Sequence, residues 1–324
     1  MAHRISIIEE CKQEIYAGLE ITREEALALV DAPLAELSAA ANEIRAHMCG
    51  NRFDLCTIVN GKCGKCSEDC KYCAQSAHYQ TDCKETYPLL PTEKLLAGAR
   101  HNKEQGVLRY SIVTSGKRLS DKEIDAVCES IREIRRQVDI AVCVSFGLLE
   151  ERQFRKLKEA GASRVHCNLE VSRKYFPKVC TTHTYDEKIA VLKAAKSAGL
   201  SICSGGIMGL GETMEDRIDM ALDIRALGVK SVPVNLLNPI KGTPYEKNEI
   251  LTDEVFCRIL AIYRFLIPDA DIRLAGGRGL MPDKGERCFQ SGANAAISGD
   301  MLTTAGITVA TDLALLKKLG YDVK

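Results

Sequence analysis

The sequence predicts an α/β protein whose parallel strands close into a (β/α)8 barrel of the TIM type, with an N-terminal helical extension. Three observations carry that expectation. Helical stretches end repeatedly at a glycine, and a short apolar run begins within a residue or two, at Gly106, Gly161, Gly199 and Gly228. Helix-capping signatures open new helices between those runs. Eight apolar runs of strand length alternate with helices, the pattern of a parallel sheet. Eight such units suffice to close a barrel, and one barrel domain accommodates 324 residues. An open, doubly wound sheet is the alternative.

Residues 1–52 read as helices, an extension set before a barrel of residues 53–324. Thr22 and Glu25 form a capping box ahead of an Ala- and Leu-rich helix. The first strand is expected over residues 53–59, and a cysteine-rich loop follows it directly. Further strands are expected over 107–113, 140–146, 164–169, 200–203, 229–235, 271–275 and about 295–298. Glycine suits the helix stops because it adopts the left-handed conformation without a side-chain penalty. Capping boxes at Ser120/Glu123 and Thr184/Glu187 open two of the intervening helices. No linker, repeat or low-complexity tract interrupts the pattern.

Composition narrows the function classes. Lys plus Arg and Asp plus Glu number 44 each, so no net charge points to nucleic acid or an anionic membrane. Trp is absent and aromatics are 5%, which argues against a base-stacking platform. No segment approaches the length and apolarity of a membrane span, and the start lacks the features of a secretory leader. Fifteen cysteines, an odd number, with several in apolar runs, then predict a cytoplasmic protein with reduced thiols. Cys11, Cys49, Cys128, Cys257 and Cys288 fall in helical patterns and read as small core hydrophobes.

Three cysteines behave differently. Cys66-Ser67-Glu68-Asp69-Cys70-Lys71-Tyr72-Cys73 spaces them as C-x3-C-x2-C. A structural zinc site normally closes its tetrahedron with a fourth ligand, commonly from a second cluster, and no second C-x2-C or H-x3-H appears. Three thiolates leave one metal position free for a non-protein ligand. An iron–sulfur cluster with one such iron fits best. The loop follows the first strand, which places it at the C-terminal face, where barrel enzymes keep their chemistry.

Alternation along the strands sorts other residues toward the barrel axis. Asp54, Cys56 and Ile58 share one face, as do Arg109, Ser111 and Val113. So do Ala141, Cys143 and Ser145, then Ser201, Cys203 and Gly205, and finally Arg273 and Ala275. Asn168 and Glu170 face inward, which turns Cys167 outward. Packed barrel interiors normally carry bulky branched side chains. Inward cysteines and arginine mark a site.

The cysteine loop, with an aromatic residue before its last thiol, resembles the cluster motif of radical S-adenosylmethionine (SAM) enzymes. The longer run from Gly64 through Cys66, Cys70 and Cys73 to Ala74-Gln75-Ser76 is narrower and resembles the biotin synthase family. The resemblance extends from about residue 53 to residue 304. It implies a [4Fe–4S] cluster on Cys66, Cys70 and Cys73, with SAM on the open iron, cleaved to a 5′-deoxyadenosyl radical. It also implies an auxiliary cluster in the barrel that donates sulfur to dethiobiotin, making biotin.

That auxiliary cluster is [2Fe–2S] in the family, held by cysteines on strands two, three and five and an arginine on strand seven. Cys143, Cys203 and Arg273 match three of those positions. The strand-two position is Ser111, a poorer iron ligand. Cys56, on the adjacent strand with inward parity and about 5 Å away by sheet spacing, is the expected replacement, and a four-iron cluster then becomes an option. The resemblance further assigns Tyr72 and Ile207 to adenine, Glu170 to ribose, and Thr114 to the SAM surroundings. Asn168 would bridge SAM and substrate. Asn235 would hold the ureido ring, Thr303 and Thr304 the substrate carboxylate, and Arg109 would stand near the auxiliary cluster. A flavodoxin or ferredoxin donor and a homodimer are the implied partners.

Two other readings compete. One is a different radical SAM barrel enzyme, of the hydrogenase-maturation or methylornithine type; inward Cys143, Cys203 and Arg273 argue against it. The other is a non-catalytic iron–sulfur or zinc protein for storage or sensing. No role follows from the sequence for Cys63, Cys83, Cys167 or Cys180.

Overall fold

The computed structural model describes residues 6–83 and 85–324. Three helices come first: α1 (Ile7–Tyr16), α2 (Arg23–Ala28) and α3 (Leu34–Cys49). The Thr22/Glu25 capping box is formed, each side chain satisfying a backbone N–H of the other. The chain then enters the strand β1 (Arg52–Lys62), followed by α4 (Thr92–Glu104), β2 (Arg109–Thr114) and α5 (Asp121–Gln137). Next come β3 (Ala141–Ser145), α6 (Glu151–Ala160), β4 (Ala162–His166), α7 (Tyr185–Ser197) and the two short segments β5 (Ser201–Cys203) and β6 (Gly206–Met208). The remainder runs α8 (Met214–Ala226), β7 (Ser231–Leu236), α9 (Asp253–Leu266), β8 (Asp271–Leu274), α10 (Glu286–Gln290), β9 (Ala295–Ser298), α11 (Val309–Lys318) and β10 (Asp322–Val323).

All pairings between these strands are parallel. The order runs β1-β2-β3-β4-β5-β7-β8-β9, and β9 pairs back onto β1 through Asp54–Ala295 to Thr57–Ser298. That last pairing makes a closed barrel and excludes the open sheet. The capping boxes at Ser120/Glu123 and Thr184/Glu187 are formed, and Gly161 ends α6 at φ 107°, in the left-handed region.

The first strand runs on to Lys62, three residues past its expected end, and the fourth also departs from its expected span. The fourth ends at His166, although Cys167 and Glu170 beyond it still donate to the Cys203 and Gly205 carbonyls and Glu170, at φ 73°, bridges Gly206. The fifth keeps its expected end at Cys203, and after a short interruption the chain pairs with β7 again as β6, from Gly206. There the backbone presses against β7, and a Cβ on Gly205 would lie 1.8 Å from the Pro233 carbonyl oxygen. Only glycine permits that approach.

Outside the barrel, α9 is buried nearly all round, from Phe256 to Leu266. One side faces the strands, and α1–α3 pack toward the other. Each of its fully buried Leu, Ile and Phe side chains contributes roughly 1.5–3 kcal/mol through burial. Arg264 is fully buried in that layer. Its guanidinium donates to the carbonyls of Gly292, Pro268 and Ala270 and to Asn294 Oδ1, at 2.6–2.9 Å. These bonds fasten the entries of β8 and β9 where the barrel closes. Among the described residues no helix is long and apolar enough to cross a membrane.

Candidate active site

The C-terminal mouth opens into a cavity of about 410 Å³ that reaches down the barrel axis. Its deep wall carries Cys56, Cys143, Cys203, Arg109 and Arg273. Toward the mouth it meets Cys66, Tyr72, Cys73 and Thr114, with Asn168, Glu170 and Ile207 opposite. Asn235, Thr303 and Thr304 complete the rim. The expected site residues therefore share one chamber, with one exception. Cys70, the middle cysteine of the loop, is absent from that wall, and its Sγ lies 3.7 Å from Cys180 Sγ.

The registers refine the placement of Cys56. Ser111 lies opposite Ile58 on β1, whereas Cys56 lies opposite Arg109. The β1 thiol thus sits one inward position deeper than the Ser111 hydroxyl, a correction to its expected side-by-side placement. Arg273 Nη1 donates to Cys56 Sγ at 3.3 Å, and Ser111 pairs with Cys143 across β2 and β3. Burial pushes the Cys56 thiol up to about 12 despite the Arg273 charge, and it raises Cys143 as well. Burial acts on Cys203 in the same sense, but the charge and hydrogen bond of His166, with Arg164 and Arg273 nearby, bring it down to about 7.

His166 and Arg164 were not expected here. His166 Nδ1 stands 3.4 Å from Cys203 Sγ, and both residues line the chamber. The alternation that turned Asn168 inward also turns Arg164 and His166 inward, so the signal was present. Beneath them Asp54 is buried against three guanidiniums, Arg109 at 2.8 Å, Arg273 at 3.1 Å and Arg164 at 3.7 Å. Burial opposes its ionisation, yet those charges hold its carboxyl far below the usual carboxylate range.

The mouth is organised by Glu170. Its carboxylate accepts from Tyr72 Oη at 3.0 Å and from Asn168 Nδ2 at 3.3 Å. Asn168 Oδ1 in turn accepts from Gly205 N. Asn235 donates to the Gly206 carbonyl and accepts from Gly276 N, both at 2.9 Å. One amide hydrogen and one lone pair of Asn235 remain for a ligand.

The cysteine loop is clamped from the segment after β4. Asp69 accepts from the backbone N–H groups of Thr181, at 2.8 Å, and Thr182, at 3.2 Å, and Lys71 N donates to the Val179 carbonyl. Nothing in the spacing of the cysteines announces this brace, in which Asp69 reaches residues 112 and 113 positions away. Asp69→Ala is expected to lower stability by about 1–3 kcal/mol, the scale of losing hydrogen bonds to a charged acceptor. Urea denaturation measures that loss, and iron counts on the same protein should show poorer retention of a loop-bound cluster.

The donor chemistry suits iron–sulfur groups. The thiols of Cys56, Cys143 and Cys203 face the deep part of a chamber where guanidiniums outnumber carboxylates, the balance an anionic group needs. Arg164 Nε is buried without an acceptor, and Arg273 Nη2, although 3.1 Å from Asp54 Oδ1, makes no well-directed hydrogen bond. These donors are available to sulfide or thiolate.

A closed parallel barrel with loop thiols at its C-terminal mouth defines a class, and residues 62–224 match the radical SAM superfamily. Members of that class use SAM and a [4Fe–4S] cluster. Residues 233–322 match the biotin and thiamin synthesis associated domain. A biotin synthase of Brachyspira hyodysenteriae is 57% identical over 317 residues, covering 98% of this chain and 95% of that one. One of Akkermansia muciniphila is 58% identical over 320 residues, covering 99% of each. The chain belongs to the biotin synthase family. Methylornithine synthase, at TM-score 0.83 and 18% identity over 97% of both chains, shares the fold. So does the [FeFe]-hydrogenase maturase HydG, at 0.82 and 20% over 97% of this chain and 74% of that one.

Proposed function

We propose that this protein converts dethiobiotin to biotin by inserting one sulfur atom and closing the thiophane ring. The observation that carries the reading is the shared chamber, with loop thiols at its mouth and Cys56, Cys143 and Cys203 deep within it. Cys66, Cys70 and Cys73 would hold a [4Fe–4S] cluster with SAM, and Cys56, Cys143, Cys203 and Arg273 an auxiliary cluster. Bound there, the first supplies a carbon-centred radical and the second supplies sulfur.

The chain's own groups bind, orient and exclude. Glu170, fixed by Tyr72 and Asn168, offers a carboxylate to ribose hydroxyls. Asn235 presents its spare amide hydrogen and lone pair to a ureido group, which itself both donates and accepts. The hydroxyls of Thr303 and Thr304 at the rim suit a carboxylate, and Ile207 and Thr114 offer surface to the nucleoside. The enclosing barrel keeps water and stray hydrogen donors away from a reactive carbon. Arg109, tied to Asp54, lends positive charge to the auxiliary site.

The deeper level of Cys56 alters the donor set of a family [2Fe–2S] site, which supports a four-iron auxiliary cluster. Electrons would come from a flavodoxin or ferredoxin, and the protein would act in the cytoplasm as a homodimer. The test is anaerobic reconstitution of the parent and of the triple variant Cys66→Ala/Cys70→Ala/Cys73→Ala, with iron and sulfide counts and Mössbauer spectra. The triple variant should keep one cluster, whose iron count gives its type, while losing SAM cleavage and biotin formation. An iron-free triple variant would overturn the two-cluster reading.

A further inference from the structure

A second cavity, of about 750 Å³, lies against the rim of the chamber at the C-terminal ends of β8 and β9. Asn238, Ala275, Gly277, Ile297, Met301 and Thr304 line both spaces, so the two meet at the rim. The far end of the second cavity reaches solvent. Gly279, Leu280, Pro282, Ala305 and Thr308 line it and are exposed, Leu280 at 41%. None of the residues assigned to SAM or to the clusters lines it. It is a side passage that starts where the substrate carboxylate is expected.

Two segments make its walls. One is the single 3-10 turn Arg278–Leu280, continued by Met281 and Pro282. The other is the loop from Gly299 to Ile307, pinned at its base by the bond from Gly299 N to the Ile307 carbonyl, at 2.7 Å. Thr303 and Thr304 ride on that loop, and Met301 N donates to the Thr304 carbonyl at 2.9 Å. The Arg278 guanidinium is spent on Asp312, with bonds of 2.7 and 2.6 Å, so it is not free for a ligand anion. Among the described residues no Asp or Glu lines the passage, and Lys284 stands at its exposed end. What remains is a neutral lining of apolar side chains and threonine hydroxyls. Such a lining suits an uncharged alkyl arm, whereas a second carboxylate would find no free buried counter-charge.

We propose that this passage receives a group joined to the carboxyl carbon of dethiobiotin, so that the enzyme acts on secondary amides with an unbranched alkyl arm as well as on the free acid. The inference rests on the reading of Thr303 and Thr304 as holders of the carboxylate end. An amide keeps one oxygen to accept from those hydroxyls and exchanges the other for an N–H and the arm. Sulfur enters at the ring end of the molecule, so the bonds formed and broken are those of the free acid.

The test compares free dethiobiotin with its N-hexylamide on the anaerobically reconstituted holoenzyme with SAM. In equilibrium dialysis the parent should bind the amide within about tenfold of the free acid, since a neutral carbonyl accepts less strongly than a carboxylate. Mass spectrometry should show biotin N-hexylamide as the product. Gly279 lies outside the left-handed region, and a Cβ there would meet only the Ala305 carbonyl oxygen, at 4.0 Å. Gly279→Leu therefore fills the passage without straining the backbone. It should weaken amide binding at least about tenfold, the scale of overfilling a packed space, and leave binding and conversion of the free acid unchanged. Leu280→Trp, at the exposed outlet, should do the same and places no demand on the core. A parent that converts the free acid but neither binds nor converts the amide would overturn the inference. So would an equal loss of both compounds in the two folded variants. If the free acid is not converted either, the dethiobiotin reading fails and this inference falls with it.

Discussion

Cys56→Ala is expected to separate SAM cleavage from sulfur insertion. The variant should still hold the loop-bound cluster and still form 5′-deoxyadenosine. Its iron and sulfide counts should fall by the whole content of the auxiliary site, and biotin should drop below detection. The reason is positional. Ser111 occupies the β2 position where a thiolate is expected, and a hydroxyl binds iron poorly beside soft sulfur ligands. Among the described residues, Cys56 is the one further thiol that both faces the chamber and touches Arg273. If Cys56→Ala keeps the parent's full iron and sulfide, Cys56 is not a ligand, and Cys143 and Cys203 must find their complement elsewhere.

The second large effect lies one layer deeper. Asp54→Ala should destabilise the protein by about 3–5 kcal/mol, the cost of stranding buried charge by removing its partner. Asp54 is 3% exposed and is the carboxylate nearest Arg109, Arg164 and Arg273. Without it the three guanidiniums repel one another in a poorly screened interior, and Arg273 loses the contact that aims it at Cys56. Chemical denaturation gives the size of the loss. A milder Asp54→Asn, which keeps shape but not charge, should fall between the parent and Asp54→Ala. Equal stability of all three proteins would mean that solvent reaches the barrel floor and screens it.

The barrel was legible because its signals are local. A glycine stop, a capping box and a run of alternating side chains each span a few residues, and eight repetitions reinforce one another. Cys143, Cys203 and Arg273 were legible for the same reason, since parity along a strand survives small errors in its ends. His166 obeyed the same parity, but a lone histidine in an apolar run is as readily a core residue. Its meaning came from Cys203, its partner across β4 and β5. The break between β5 and β6 depends on the Pro233 carbonyl, which belongs to another strand. The approach of Cys180 to Cys70 bridges 110 positions through two irregular loops, where no periodicity exists to be read. Cys56 was placed on the correct face but at the wrong height, because alternation gives sides and only pairing gives levels.

The pairing of β9 with β1 has a consequence for modularity. Two sequence families divide the chain, one ending at residue 224 and the other starting at 233. The division suggests two portable units, but the ring of hydrogen bonds permits no such cut. Separating the pieces would open the sheet where β5 and β6 meet β7 and again between β9 and β1, leaving each fragment with two raw edges prone to self-association. Arg273 would also leave with one fragment and Cys56, Cys143 and Cys203 with the other. The two segments therefore fold and come apart as one object.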